Sequence, residues 1–205
     1  MRLWASFLAT MVVFFAATTL GFSSLALLAK PMPVIVLAAG IMADANGPLR
    51  VGIAAGLLAS AVGDVLLGLD LFLPGLVVFL IAHLAYLGAF QKDCRAPALG
   101  RALPFVAWGA LLLGHLWPAL GNLAVPVAFY VAAISAMMWR AAARVGRRPG
   151  ALPGLLGAVS FGLSDSLIAW NRFEATIPGA FVPIMLFYWL GQAGIARAAL
   201  DKENR

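Results

Sequence analysis

Long apolar runs, broken at near-regular intervals by short clusters of Gly, Pro, Asn and charge, set the pattern of this chain. Runs close to the ~20 residues a helix needs to cross a hydrocarbon core predict transmembrane helices. The breaks fall at Lys30-Pro31, Asp44 to Pro48, Asp70, Gln91 to Arg101, Trp117 to Asn122, Arg147 to Gly150 and Asn171 to Pro178, where turn-forming residues end helices. They delimit eight expected spans, at 3–24, 29–44, 51–69, 72–91, 103–119, 123–143, 151–170 and 177–197. The expected fold is one all-α transmembrane domain over 1–205, a helical bundle in which each backbone polar group is satisfied inside its own helix.

Composition excludes an ordinary soluble domain: 63% of residues are hydrophobic and only 11% charged, with a mean hydropathy of +0.99, against about 25% charged in soluble proteins. The basic balance, 14 Lys and Arg against 8 Asp and Glu, would suggest nucleic acid in a soluble protein. Here the cations punctuate apolar runs, so the bias reads as membrane topology and no nucleic-acid partner is expected. A cytoplasmic N-terminus puts Arg2, Arg50, Lys92, Arg95, Arg101, Arg140, Arg144, Arg147, Arg148, Arg197, Lys202 and Arg205 inside and leaves only Lys30 and Arg172 outside. Seven spans break that alternation, so the expectation is eight helices with both termini cytoplasmic. The first apolar run exceeds the ~7–15-residue core of a signal peptide and is read as a retained span. The single Cys94 sits in a charged stretch and permits neither an internal disulfide nor a cysteine metal site. With a bacterial inner membrane taken as the host, the outer face is periplasmic. The 21 glycines fit close packing within one bundle and equally a homodimer contact.

Against this background two aspartates stand out: Asp64, in Ser60 to Leu67, and Asp165, in Ser160 to Ile168. A carboxylate at membrane depth costs about 2.5–3.5 kcal/mol even on the mild insertion scale, so such residues are rare and functional by default. Each lies ~9 Å below the outer end of its span at 1.5 Å per residue. Gly56, Ser60, Asp64 and Gly68 share one helical face, as do Gly154, Ala158, Gly162 and Asp165. Small residues mark helix contacts in membranes, so both carboxylates are expected to face the bundle interior. The fourth span presents Gly75, Phe79, His83, Tyr86 and Phe90 on one face, while Lys30, Asp70, Asn171, Arg172 and Glu174 ring the outer rim. The expected picture is a cavity open outward, with acids in its wall and cations at its mouth. Plainer readings stand beside it. An intramembrane Asp also bridges helices, His83 also serves as a structural hydrogen-bonding residue, Lys30 and Arg172 also snorkel, and Ser164 and Ser166 also bond backbone carbonyls. His115 is read as structural.

Four motifs carry a resemblance: Lys30-Pro31; Gly63-Asp64 with Leu66-Leu67; Phe79, His83 and Tyr86 in one span; and Ser164-Asp165-Ser166 followed by Asn171-Arg172-Phe173. Their order and spacing, from about residue 25 to 190, resemble the YhhN-like lysoplasmalogenase family of polytopic membrane hydrolases. The resemblance implies cleavage of the vinyl-ether bond of a lysoplasmalogen, releasing a fatty aldehyde and glycerophosphoethanolamine or glycerophosphocholine. The expected partners are therefore a lysophospholipid substrate and the surrounding membrane lipids.

Vinyl ethers hydrolyse by protonation of the distal alkene carbon, giving an oxocarbenium ion that water captures as a hemiacetal. Two carboxylates in a poorly solvated cavity suit this reaction, because one can hold a proton while its neighbour stays ionised, as paired acids do in glycosidases. Asp64 and Asp165 are the expected catalytic pair, with His83 holding a carboxylate or relaying protons. Lys30 and Arg172 are expected to bind phosphate, Asn171 to orient water or a glycerol hydroxyl, and Asp70, Ser164 and Tyr86 to complete the substrate site. No Gly-x-Ser-x-Gly elbow is present, and Ala61 replaces the first Gly of the Gly-x-Gly-Asp motif of intramembrane aspartyl proteases. A zinc hydrolase needs about three protein ligands, of which only His83 lies near the acids, so no metal and no cofactor is expected. The alternative is a proton-coupled carrier of small molecules or lipids in which Asp64 and Asp165 titrate during transport.

Overall fold

The computed structural model describes residues 2–201. Lys202 and Arg205, counted above as cytoplasmic, lie outside the described residues. The described residues form α1 (Arg2–Thr19), α2 (Ser23–Ala29), α3 (Met32–Asp44), α4 (Leu49–Gly68), α5 (Phe72–Asp93), α6 (Leu103–Leu120), α7 (Ala124–Arg144), α8 (Ala151–Phe173) and α9 (Phe181–Leu200), with no strand among them. Six segments are long and apolar enough to cross a membrane: Arg2–Thr19, Ser23–Asp44, Leu49–Gly68, Phe72–Asp93, Leu99–Arg144 and Ala151–Phe173. The chain is an all-α, multi-pass integral membrane protein.

The helix ends follow local chemistry. Prolines fall in the first turn of α3 and α6, where a missing N–H leaves no hydrogen bond unmade. The α4–α5 junction is a Schellman-type turn: Leu71 N–H reaches Leu66 O at 2.9 Å, Asp70 N–H reaches Leu67 O at 3.2 Å, and Asp70 has a left-handed φ of 59°.

Several expected boundaries move, among them the start of the last span, from 177 to Phe181; the first has the largest consequence. The first apolar run, expected at 3–24, stops being helical at Thr19, turns through Gly21 at φ 78°, and restarts as α2 at Ser23. Left-handed Gly closes α1. The apolar residues around it hide the turn from a hydropathy reading. As a result Lys30 sits at the α2–α3 junction, inside the 22-residue segment Ser23–Asp44, and not at the start of a span.

Lipid chains are as apolar as leucine, so helices in a bilayer are held by close contact and not by removal of surface from water. The α8–α9 pair shows this most clearly. A Cβ on Gly157 would lie 2.6 Å from Gly191 O, and one on Gly194 would lie 2.6 Å from the Cα of Gly157. Between α4 and α5, a Cβ on Gly63 would stand 2.6 Å from the Phe79 ring, and one on Gly56 would collide with Tyr86. α1 docks on α9 through fully buried Trp189, which meets Phe14 and Phe15 edge-on at 5.2 and 5.5 Å. Such aromatic pairs contribute about 0.5–1.5 kcal/mol each. At the C-terminal ends of α5 and α7, buried Arg144 pairs with Asp93 at 2.7 Å, while Arg140 binds the carbonyls of Cys94 and Ala96. These contacts fix the segment leading into α6.

Candidate active site

A cavity of about 530 Å³ lies between the C-terminal ends of α4 and α8 and the N-terminal ends of α5 and α9, with α6 and α7 closing one side. Both Asp64 and Asp165 line it. α4 and α8 bring them there because the small-residue faces turn inward: Gly56, Ser60 and Asp64 are buried on α4, and Gly154, Ala158 and Gly162 on α8. Gly68 is exposed, yet it still marks a helix contact, since a Cβ there would lie 2.5 Å from Leu27 of α2.

Asp64 is 2% exposed. Its Oδ2 accepts the Tyr188 hydroxyl at 2.7 Å, and its Oδ1 lies 3.8 Å from Lys30 Nζ. A buried carboxylate without such partners would be unstable in this setting. Behind it, the Tyr86 hydroxyl donates to Gln192 Oε1 at 2.7 Å, and Ser60 Oγ is 3.4 Å from the same hydroxyl. This layer packs α4, α5 and α9 around the Asp64 end.

Asp165, with its side chain 15% exposed, is held differently. Its Oδ2 accepts the Tyr130 hydroxyl at 2.7 Å, and His83 Nε2 lies 3.3 Å from the same oxygen and 2.9 Å from Tyr130 Oη. Because Tyr130 spends its only O–H on Asp165, His83 can serve both neighbours only as an Nε2–H donor. His83 Nδ1 is buried with no partner among the described residues, and the ring is wedged edge-on against Phe161 at 4.7 Å. Two donors therefore fix one oxygen of Asp165.

Of the other residues singled out from the sequence, Lys30, Asp70, Ser164, Asn171 and Arg172 all line the cavity. Ser164 Oγ donates to Ile184 O at 2.9 Å and so ties α8 to α9. Asn171 Oδ1 accepts Ile177 N–H at 2.8 Å and anchors the α8–α9 loop. The Arg172 guanidinium lies over the Phe72 ring, 3.8 Å from its centroid. His83 and Tyr86 are fully buried and do not line the cavity; they stand behind the carboxylates. His115 stacks on Trp170 at 4.7 Å and lies 3.7 Å from Glu174. No group of three or more His, Cys, Asp or Glu side chains converges as metal ligands among the described residues. The remaining wall is largely apolar, with Leu76, Phe79, Trp108, Ile134 and Met185 among its residues, a lining suited to an acyl chain.

Sequence reasoning missed the two hydroxyl donors, Tyr130 and Tyr188. A signal was available. The chain has only three tyrosines, and tyrosines of membrane proteins gather at the interfaces. Here all three sit within apolar helices and are buried, where a phenol needs a polar partner.

The model of the YhhN family matches residues 25–199. Lysoplasmalogenase TMEM86B of Sus scrofa is 36% identical over 176 residues, covering 82% of this chain and 73% of that protein. Human TMEM86B, also named a lysoplasmalogenase, is 35% identical over 181 residues, covering 85% and 75%. A lysoplasmalogenase of Mycobacterium tuberculosis is 38% identical over 170 residues, covering 78% of this chain and 64% of its own. No solved structure matches. The family match contains every charged or tyrosine side chain described around the two carboxylates, and this chain belongs to the YhhN family.

Proposed function

We propose that this protein is a membrane lysoplasmalogenase that hydrolyses the vinyl-ether bond of lysoplasmalogens by means of Asp64 and Asp165. The observation that carries the reading is the meeting of two intramembrane carboxylates, from helices far apart in sequence, on one largely apolar cavity. The relatives named lysoplasmalogenases support the enzyme over the carrier.

The reaction then runs in three steps. One carboxylic acid gives its proton to the distal alkenyl carbon, and the resulting oxocarbenium ion is stabilised by the other carboxylate. Water adds to the cationic carbon and passes a proton to a carboxylate, which leaves a hemiacetal. Collapse of the hemiacetal breaks the carbon–oxygen bond to glycerol and releases aldehyde and glycerophospho-headgroup, with the acid restored. Tyr188 and Tyr130 keep one oxygen of each carboxylate engaged, so that the chemistry falls to Oδ1. The phosphate binds at the mouth near Lys30 and Arg172, and the alkenyl chain lies along the apolar wall.

We read eight crossings in this arrangement: α1, α2 with α3, α4, α5, α6, α7, α8 and α9. The Leu99–Arg144 segment contains α6 of 18 residues and α7 of 21, and α9 adds a further 20. The basic-residue bias supports cytoplasmic termini. In a bacterial inner membrane, the cavity faces the periplasm. The test is aldehyde release by purified protein in detergent: release without a sealed membrane is expected, and none from any lysoplasmalogen would reject the assignment.

A further inference from the structure

The charged groups of the cavity are not all accounted for by the catalytic reading. Asp64 is matched by Tyr188 and Lys30, and Asp165 by Tyr130 and His83. The other charged residues in the lining are Asp70 and Arg172. Neither enters an ion pair among the described residues. They are nevertheless close along the structure, because the Arg172 guanidinium covers the ring of Phe72, two residues beyond Asp70. Opposite charges share one stretch of rim and leave each other unpaired.

We propose that Asp70 and Arg172 together receive a zwitterionic headgroup, Arg172 taking the phosphate and Asp70 the ammonium of a phosphoethanolamine or phosphocholine. This rests on the lysoplasmalogenase reading above. A zwitterion carrying its anion and cation on a two-carbon link satisfies both free charges at once, and a phosphate monoester satisfies only one.

The turn accommodates an aspartate but does not use its carboxylate. Asp70 occupies the left-handed position after α4, and the two hydrogen bonds that build this turn are backbone to backbone. The position favours glycine, and aspartate is tolerated there at some cost. The Asp70 side chain makes no hydrogen bond to another described residue, in contrast to Asn171 on the same rim, whose carbonyl holds Ile177 N–H. Glu174, the other acid of this region, is turned toward His115 at 3.7 Å and is absent from the lining. The position for an ammonium therefore falls to Asp70.

The test compares two substrates with the same alkenyl chain, alkenyl-glycerophosphoethanolamine and alkenyl-glycerophosphate, on wild type and Asp70→Asn. An exposed charge contact contributes up to about 1 kcal/mol, so the KM for the ethanolamine lipid should rise about fivefold. For the phosphate monoester it should fall, because a like charge has been removed from beside a dianion. Asp70→Gly, which suits the left-handed backbone, should show the same opposed shifts and so separates headgroup binding from any effect on the turn. Equal shifts for both lipids, or none, would overturn the inference. If the wild type releases aldehyde from neither lipid, the lysoplasmalogenase reading fails, and calorimetry with glycerophosphoethanolamine and glycerophosphate decides the receptor alone. Weaker binding of the former only, in both variants, supports it; unchanged binding rejects it.

Discussion

Asp64 and Asp165 look alike in sequence and sit on the same cavity, yet the protein holds them by different means. Asp64 has one neutral donor, Tyr188, and one cation, Lys30, on separate oxygens. Asp165 has two side-chain donors, Tyr130 and His83, on a single oxygen and no Lys or Arg beside it among the described residues. Asp64 is the more buried, its side chain 3% exposed against 15% for Asp165. A membrane interior can thus keep a carboxylate either by pairing it with a Lys cation or by surrounding it with oriented donors. In both cases a tyrosine holds one oxygen, which leaves the two Oδ1 atoms as the distinguishing features of the site.

Loss of either carboxylate should have the largest effect. Asp64→Asn and Asp165→Asn should each lower aldehyde release by about 10³-fold or more, within the range for loss of acid–base catalysis, while the variants keep the wild-type elution volume in detergent. Retention of more than a tenth of the rate in either one would detach that residue from the chemistry.

A smaller change should expose the difference between the two ends. Tyr188→Phe takes from Asp64 its only hydroxyl donor, and a hydrogen bond to a charged group is worth about 1.5–3 kcal/mol, so kcat should fall roughly 10- to 100-fold. Tyr130→Phe leaves His83 on Asp165 and should cost less, about tenfold at most. Both should act on kcat more than on KM. The reverse order would show that His83 does not hold Asp165 in the working enzyme.

Lys30→Met removes the cation beside Asp64. It should lower kcat/KM about tenfold, the scale of one partly buried charge contact, whereas Met at Arg172, already stacked on Phe72, should act on KM alone. Gly157→Val probes the frame that carries Asp165 and Tyr188 together. The new side chain meets α9 backbone that cannot move aside, so thermal unfolding should shift downward by the equivalent of about 1–3 kcal/mol. An unchanged Tm would mean that α8 and α9 are not packed as closely as described.

Much of this was legible in the chain. The period of the small residues on α4 and α8 fixes which way Asp64 and Asp165 point, because Gly and Ala faces seek other helices. The stripe Gly75, Phe79, His83, Tyr86 and Phe90 is buried along α5, as its spacing requires. What could not be read was the partner of each polar group. Tyr130 and Tyr188 reach the aspartates across 35 and 124 residues of sequence, and no local pattern encodes such contacts. Lys30, expected at the rim as a phosphate ligand, lines the cavity and also approaches Asp64 across 34 residues of sequence, at 3.8 Å. Tyr86, expected to touch substrate, is sealed behind the cavity by Gly56, whose missing side chain makes room for its ring.

The central claim is tested most directly by incubating the purified protein in detergent with a lysoplasmalogen and its ester-linked counterpart, and measuring aldehyde and fatty acid for wild type, Asp64→Asn and Asp165→Asn. Aldehyde from the vinyl ether alone, lost in both variants, is the predicted result. Aldehyde from either variant at the wild-type rate, or fatty acid from the ester, would contradict the paired-carboxylate account.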